Sequence, residues 1–259
     1  MSILEALLLG LVQGITEFLP VSSSGHLAVL EHLWKLPAES RLPLATMLHG
    51  ATALSVVFYF APLLARLIRG LWSRDAARRS SSWRMVGFIA LASIPAGVIG
   101  ILFSDLIDRA FSSPLLVGLM LLVTGGVLYG TKFSRPQGKT SWVRAFLVGV
   151  GQAIAILPGI SRSGATIASG LYLGMERKEA FEFSFLLAIP AIAGAFLLEF
   201  RKVNLAVLSP AALAVGMVAA FLTGLAALFV LGRAVTGRKL YWFAFYCWLA
   251  GLATILFVR

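Results

Sequence analysis

Two matching stretches, Gly10–Gly25 and Gly149–Gly164, decide the fold of this chain. The first reads GLVQGITEFLPVSSSG and the second GVGQAIAILPGISRSG, so each has a glutamine, then Leu-Pro, then a serine-rich turn closed by glycine. Each interrupts an apolar region, Ile3–Leu36 or Ala145–Met175, at residues that end helices. The flanks of the second break have only 11 or 12 residues, which as helices cover about 16–18 Å of a hydrocarbon core about 30 Å thick. We therefore expect two re-entrant helix-loop-helix hairpins.

The composition is that of a polytopic membrane protein. Of 259 residues, 59% are hydrophobic and 13% charged, and the mean hydropathy is +0.91. A soluble domain is roughly half apolar and about a quarter charged. One cysteine, Cys247, excludes an intrachain disulfide, and the N-terminal segment lacks the basic region of a cleaved signal peptide. Six stretches are expected to span the membrane: Leu44–Leu64, Met85–Ser104, Pro114–Gly130, Phe183–Phe200, Val207–Gly232 and Leu240–Val258.

The order of hairpins and spans repeats along the chain. A hairpin and three spans are followed by a second hairpin and three spans, so the expected fold is all-α with an inverted-topology repeat. Within a single integral membrane domain, residues 1–259, we assign 1–130 to the first repeat and 145–259 to the second. Residues 131–144 form a basic linker, expected to be cytoplasmic.

The loop charges predict the orientation. Fifteen Lys and Arg residues fall on one side of the expected topology and six on the other, and the net charge is +11. Cytoplasmic loops collect basic residues, so this charge does not require a nucleic-acid partner. Both termini are then outside, and the two hairpin tips approach each other near the midplane. Two adjacent basic residues, Arg201 and Lys202, fall on the outer side. A topology with one span fewer in the Phe183–Gly232 region therefore stays open. The six outer residues are Lys35, Arg41, Arg109, Arg201, Lys202 and Arg259.

The two tips carry ionisable residues at a depth where charge is costly and usually functional. Arg162 is the only charge between Ala145 and Met175, and the first tip supplies Glu17 and His26. A guanidinium beside hydroxyls and helix starts suits a phosphate or carboxylate. The alternative is an Arg162–Glu17 ion pair that braces the hairpins, and both can hold without ligand. The surrounding hydroxyls are Ser22, Ser23, Ser24, Ser161, Ser163 and Thr166.

Other roles follow from residue type. Gln13 and Glu17 are four apart and share a helix face, and Glu17 could bind a divalent cation or orient His26. His26 can act as acid, base or nucleophile, and a nearby serine would need such a base. For any one of the serines taken alone, a structural role in a turn or as a helix cap is an equally good explanation. His32 and His49 lack a comparable setting and are interpreted as structural.

QGITEFLPVSSSGH (Gln13–His26) and PGISRSGAT (Pro158–Thr166) resemble the two signature motifs of the undecaprenyl-diphosphate phosphatase family, also called bacitracin resistance proteins. FSFLLAIPA (Phe183–Ala191) is also similar to the family, and the likeness covers essentially the whole chain.

The resemblance implies a hydrolase that converts undecaprenyl diphosphate to undecaprenyl phosphate and inorganic phosphate. Such an enzyme recycles the lipid carrier of cell-wall peptidoglycan synthesis and confers bacitracin resistance. It implies the bacterial inner membrane, with the site on the periplasmic side, and dependence on a divalent metal, Mg or Ca. The expected partners are the lipid substrate and membrane lipid, with no nucleic acid, and a homodimer is a further candidate assembly.

The resemblance also assigns roles to residues of this chain. Ser23 matches a proposed nucleophile and His26 a proposed general base or nucleophile. Glu17 matches an acidic position near the metal or the catalytic histidine. Arg162 matches the diphosphate-binding arginine. Gln13 stands where relatives often have glutamate, which leaves Glu17 as the one carboxylate for metal or base. The remaining substrate-binding assignments are Ser161, Ser163, Thr166, Ser22, Ser24 and Gln13.

Three reaction schemes stay open at this point. His26 could activate Ser23 for attack on the terminal phosphorus, His26 could itself be phosphorylated, or water could attack directly. An alternative function is a secondary transporter or flippase for an anionic lipid, because inverted repeats with broken helices are common in transporters. A purely structural scaffold would leave Arg162 without a purpose.

Overall fold

The structure is a computed structural model that describes residues 2–34, 38–103, 110, 113–201, 203–204 and 207–257. In these ranges the chain forms eleven α-helices. They are α1 (Ile3–Phe18), α2 (Ser23–Leu33), α3 (Ala38–Tyr59), α4 (Ala61–Leu71), α5 (Ala76–Leu102), α6 (Pro114–Gly130), α7 (Trp142–Ile154), α8 (Arg162–Tyr172), α9 (Arg177–Phe200), α10 (Pro210–Thr236) and α11 (Phe243–Phe257).

Six helical segments in the described ranges are long and apolar enough to cross a membrane, which confirms a multi-pass membrane protein. Five of them overlap the predicted spans closely, and the first differs. The predicted span Leu44–Leu64 is interrupted, because α3 ends at Tyr59 and α4 begins at Ala61 with a proline in its first turn. The predicted ends Leu36, Ser104 and Val258, and the outer charges Lys35, Arg109, Lys202 and Arg259, lie outside the described residues.

Each of the two matching stretches forms a helical hairpin, α1–α2 or α7–α8. The breaks are shorter than the motifs suggest, because the serine-rich turns mostly begin the following helix. Ser22 has φ +67° and α2 begins at the next residue. In the second hairpin Gly159 has φ +92°, a conformation that favours glycine. Ser161 caps α8 by accepting the amide of Gly164, so α8 begins at Arg162.

Close helix packing fixes the two hairpins in the bundle. α1 packs along α10, and α7 packs along α5. A Cβ atom on Gly10 would lie 2.2 Å from the carbonyl oxygen of Gly216, and one on Gly149 would lie 2.3 Å from that of Ala92. Small residues at these crossings let the backbones touch, as at many helix contacts in membranes. The helix ends that carry Glu17 and Arg162 are thereby held by rigid neighbours.

Candidate active site

The tips of the two hairpins meet through a direct ion pair. Nη2 of Arg162, in the first turn of α8, lies 2.7 Å from Oε1 of Glu17, in the last turn of α1. The Glu17 side chain is 7% exposed and that of Arg162 is 21% exposed. This contact is the brace that the sequence offered as an alternative to anion binding, and it brings both predicted residues to one point.

The second carboxylate oxygen of Glu17 gathers the other polar groups of the first hairpin. Oε2 accepts the hydroxyl of Ser23 at 2.6 Å and the amide Nε2 of Gln13 at 3.1 Å. The Gln13–Glu17 pairing follows from their spacing of four on one helix face. The strongest hydrogen bonds are those to charged groups, so this carboxylate holds Ser23 firmly in place.

His49, interpreted from the sequence as structural, lies beside the site. Its Nε2 lies 3.6 Å from Oε2 of Glu17, while its Nδ1 is 2.8 Å from the carbonyl oxygen of Ala45. The sequence did contain a signal for this contact: His49 is an ionisable residue within the first predicted span, and such residues inside a membrane are often functional. The side chain of His32 lies outside the described part of the structure.

A small cavity of about 70 Å³ opens beside the ion pair. One water molecule needs about 10–15 Å³ of such space, so the cavity has room for more than one water. The serines of the two tips form matching pairs, with 3.3 Å between the hydroxyls of Ser22 and Ser24 and 3.2 Å between those of Ser161 and Ser163. The cavity is lined by Thr16, Glu17, Ser22, Ser23, Ser24, Ala155, Ile160, Ser161 and Arg162.

Three predicted binding residues do not line this cavity: Gln13, which is bonded to Glu17, and two hydroxyl residues of α8, Ser163 and Thr166. Thr166 donates to the carbonyl oxygen of Arg162 at 2.8 Å and pairs with the hydroxyl of Ser184 at 2.5 Å. Ser163 is buried beside Ser161. These two hydroxyl residues therefore support the first turn of α8, on which Arg162 is carried.

His26 is held by partners other than those predicted. Its Nδ1 lies 2.8 Å from the carbonyl oxygen of Ser22, which only accepts, so Nδ1 carries the proton in the neutral ring. Nε2 lies 2.6 Å from the hydroxyl of Tyr246 on α11, and the two rings stack with centroids 5.7 Å apart. The expected hydrogen bond from Ser23 to His26 is not formed, because Ser23 is bound to Glu17 instead.

Tyr246 was missed by sequence reasoning. It is separated from His26 by 220 positions and sits in an apolar helix without a motif around it. Only its hydroxyl, a polar tip on a membrane aromatic, distinguished it from its neighbours.

The donors for a metal ion are few. Within the described ranges, no group of three or more His, Cys, Asp or Glu side chains is close enough to hold one. Glu17 is the one carboxylate lining the cavity, and beside it Oε1 of Gln13 is buried without a hydrogen-bond partner. One carboxylate and one neutral oxygen suit a magnesium ion that takes its other ligands from water and substrate phosphate.

Comparison with known proteins identifies the family of this chain. The chain is 43% identical over 98% of its length to a protein of Desulfatibacillum aliphaticivorans, and covers 97% of that protein. It is 40% identical to one from Alkaliphilus metalliredigens, with 99% of each chain covered. A protein of Methanosphaera stadtmanae is 37% identical, with 99% of this chain and 98% of the relative covered. All three relatives are named undecaprenyl-diphosphatase. Residues 6–253 match the profile of the family described as bacitracin resistance protein BacA, and the chain belongs to that family.

Proposed function

We propose that this protein is a membrane phosphatase that hydrolyses undecaprenyl diphosphate to undecaprenyl phosphate and inorganic phosphate, returning the lipid carrier to cell-wall synthesis. The observation that carries the proposal is the joining of Arg162, Glu17 and Ser23 at a hydroxyl-lined cavity in a membrane-spanning chain. The relatives are named for the same reaction.

Arg162 binds the diphosphate in this proposal. Its planar guanidinium can bind two phosphate oxygens at once, and a second set of donors comes from the serine hydroxyls of both tips. The free amides in the first turns of α2 and α8 add a favourable field for an anion. Thr166 acts as a positioning residue through its bond to the carbonyl of Arg162.

Substrate binding changes the partners of Glu17. When the diphosphate binds the Arg162 guanidinium, the Glu17 carboxylate loses the positive charge that neutralises it in the described structure. It then becomes a better proton acceptor for Ser23, to which it is already bonded at 2.6 Å. A base must lie within hydrogen-bond reach of the proton that it removes, and here that group is Glu17.

The reaction then proceeds in two displacements. Oγ of Ser23 attacks the terminal phosphorus, its proton passes to Glu17, and the bridging P–O bond breaks to release undecaprenyl phosphate. Water next attacks the phosphoserine, the P–Oγ bond breaks, and Glu17 returns the proton to Ser23. Arg162 and the hydroxyls stabilise the charge on the transferring phosphoryl group in both steps.

His26 enters this scheme only if its ring becomes free. Either of its proposed roles, base or nucleophile, needs the lone pair of Nε2, and the hydroxyl of Tyr246 occupies that lone pair in the described structure. A phosphohistidine and direct attack by water remain the competing predictions.

A divalent metal, Mg or Ca, is a competing use of Glu17 in the proposal, because a carboxylate that binds a cation would be a weaker proton acceptor. The carboxylate of Glu17 and Oε1 of Gln13 would hold it next to the diphosphate. There it would neutralise charge on the phosphoryl oxygens.

We further propose that the two halves form an inverted repeat, each with a re-entrant hairpin. In an inverted repeat, α1 of the first half corresponds to α7 of the second half, and α5 corresponds to α10. The packing is consistent with this symmetry, because α1 packs on α10 and α7 packs on α5. The close approaches at Gly10 and Gly149 fall at matching positions of the two motifs. The serine pairs of the two tips match in the same way. Residues 131–144 link the halves.

The proposed location is the bacterial inner membrane, with the basic loops in the cytoplasm and the cavity reached from the periplasmic side. The polyprenyl tail would stay in lipid while the head group enters between the tips. Homodimer formation is a separate prediction, which the mass of the detergent-solubilised protein tests.

Phosphate release from undecaprenyl diphosphate by the purified protein in detergent tests the function. We expect Arg162→Met and Ser23→Ala to abolish release, and Ser93→Ala, which removes a hydroxyl bonded within α5, to preserve it. The alternative, a transporter or flippase, would move lipid between leaflets but release no phosphate, and the names of the relatives do not support it. Folded wild-type protein without phosphatase activity would refute the proposal.

A further inference from the structure

The chain breaks unexpectedly after α3, and the short helix that follows has an unusual surface. α4 has 11 residues, so it covers only about 16 Å and cannot cross a bilayer. It joins the ends of two membrane-spanning helices, α3 and α5, which places it at the membrane surface. Its apolar residues lie on one side of the helix and its two arginines, Arg66 and Arg69, on the other.

The apolar side of α4 is only partly covered by protein. Leu63 and Leu64 pack against the main hydrophobic core. Ile68 is 53% exposed, and Trp72, just after the helix, is 75% exposed. Apolar and aromatic side chains left uncovered at this depth suit the boundary between head groups and acyl chains.

α4 packs closely on the start of α5, so the charges of both helices share one surface. A Cβ atom on Gly70 would lie 2.0 Å from the hydroxyl of Ser82 and 3.8 Å from Cγ of Arg78. We call the exposed arginines of α4, the turn and the start of α5 the arginine surface. It consists of Arg66, Arg69, Arg74, Arg78, Arg79 and Arg84.

The arginine surface has little negative charge to balance it within the protein. Asp75 is the one acidic residue between Arg66 and Arg84, and its carboxylate caps α5 by accepting the amides of Ala77 and Arg78. None of the ion pairs among the described residues includes an arginine of this surface. Guanidinium groups bind phosphate oxygens well, and clusters of four to eight basic residues beside a membrane helix attract anionic lipid.

We propose that α4 and the first turns of α5 form a binding surface for the negatively charged head groups of phospholipids. Ile68 and Trp72 enter the boundary of the bilayer, and the arginine surface binds the head-group phosphates. Trp83, which is 56% exposed near the start of α5, lies on the same stretch of chain. The proposal does not depend on the enzymatic activity.

Quenching of tryptophan fluorescence by brominated lipids tests this binding. The protein is reconstituted into phosphatidylcholine bilayers that contain phosphatidylglycerol, with bromine on the acyl chains of one lipid at a time. We expect brominated phosphatidylglycerol to quench more strongly than its share of the lipid predicts. Replacing Trp72 and Trp83 by phenylalanine should remove most of this excess. Equal quenching by the two lipids, or an excess unchanged by these replacements, would overturn the proposal.

Matched charge variants locate the effect. The quadruple variant Arg66→Gln, Arg69→Gln, Arg78→Gln, Arg79→Gln should reduce the preference for phosphatidylglycerol by about tenfold. The variant Lys132→Gln, Arg135→Gln, Lys139→Gln, Arg238→Gln removes the same charge from other basic loops and should retain the preference. Equal loss in both variants would mean that total charge, not this surface, selects the lipid. If the first variant does not fold, added salt should still weaken the preference of the unmodified protein, and a salt-independent preference would contradict the proposal.

Discussion

Removing the positive charge from the Glu17–Arg162 pair gives the sharpest test of the site, because the pair is largely buried. Arg162→Met keeps much of the side-chain length and leaves the carboxylate, which is 7% exposed, without its partner at 2.7 Å. Breaking a buried pair on one side costs roughly 3–5 kcal/mol. Ser23 and Gln13 still donate to the carboxylate, so we expect the lower end, about 3 kcal/mol.

The reverse variant, Glu17→Gln, should cost less. Arg162 is 21% exposed and lines the cavity, where water can reach it, and a glutamine can keep the bond to Ser23. We expect a loss of about 1 kcal/mol. The double variant removes both charges and should lose no more than roughly 1–2 kcal/mol, because no unpaired buried charge remains.

Thermal unfolding in detergent measures these differences. For a chain of this length about 1 kcal/mol corresponds to about 2 °C in Tm, so Arg162→Met should lower Tm by roughly 6 °C. The double variant should recover at least about a third of that loss. All three variants should release no phosphate. The differences in Tm among them therefore report on the ion pair and not on activity. If the losses of the two single variants simply add in the double variant, the ion pair is not formed in the folded protein.

Three further predictions concern other contacts. Ser23→Ala should prevent the trapping of labelled phosphate on the protein during turnover, and a label that persists and is lost in acid would indicate a phosphohistidine instead. Tyr246→Phe should make His26 of the folded protein react several-fold faster with diethyl pyrocarbonate, because the lone pair of Nε2 no longer has a hydrogen-bond partner. The extent of modification is measured on the His26 peptide after digestion, and an unchanged rate would show that the Tyr246 hydroxyl does not bind Nε2. Gly10→Ala should lower Tm by several degrees, since its Cβ would lie 2.2 Å from a backbone oxygen of α10, whereas Gly97→Ala, with nothing within 4 Å of the new Cβ, should be neutral or stabilising. Equal effects of the two glycine substitutions would contradict the close packing of α1 on α10.

Features with a local physical cause could be predicted from the sequence. The apolar runs set the six spans, because their length must match the bilayer. Pro20 and Gly159 located the two breaks, and the spacing of Gln13 and Glu17 placed them on one helix face, where the structure shows a hydrogen bond between them. The contact between Glu17 and Arg162 was also within reach, because few groups in an apolar chain can neutralise a buried charge.

Features that depend on the packing of distant segments could not be predicted. Leu63 and Leu64 continue the apolar run of the first span, so hydropathy alone did not show that α3 ends at Tyr59. Tyr246 and His26 are 220 positions apart, and only the tertiary fold brings the two side chains together. His49 reaches Glu17 for a similar reason, through the side of α3 that faces α1.

The distance in sequence between Glu17 and Arg162, 145 positions, has a consequence for biosynthesis. A ribosome that adds about 5–20 residues per second needs on the order of ten seconds to deliver the guanidinium after the carboxylate. α1 must also wait for α10, on which it packs, and this helix is the last but one to be made. The carboxylate of the first hairpin therefore lacks its guanidinium partner while more than half of the chain is still being translated. A chain whose translation stops before residue 162 lacks the arginine that pairs with Glu17. We expect such fragments to be substrates for membrane quality-control proteases.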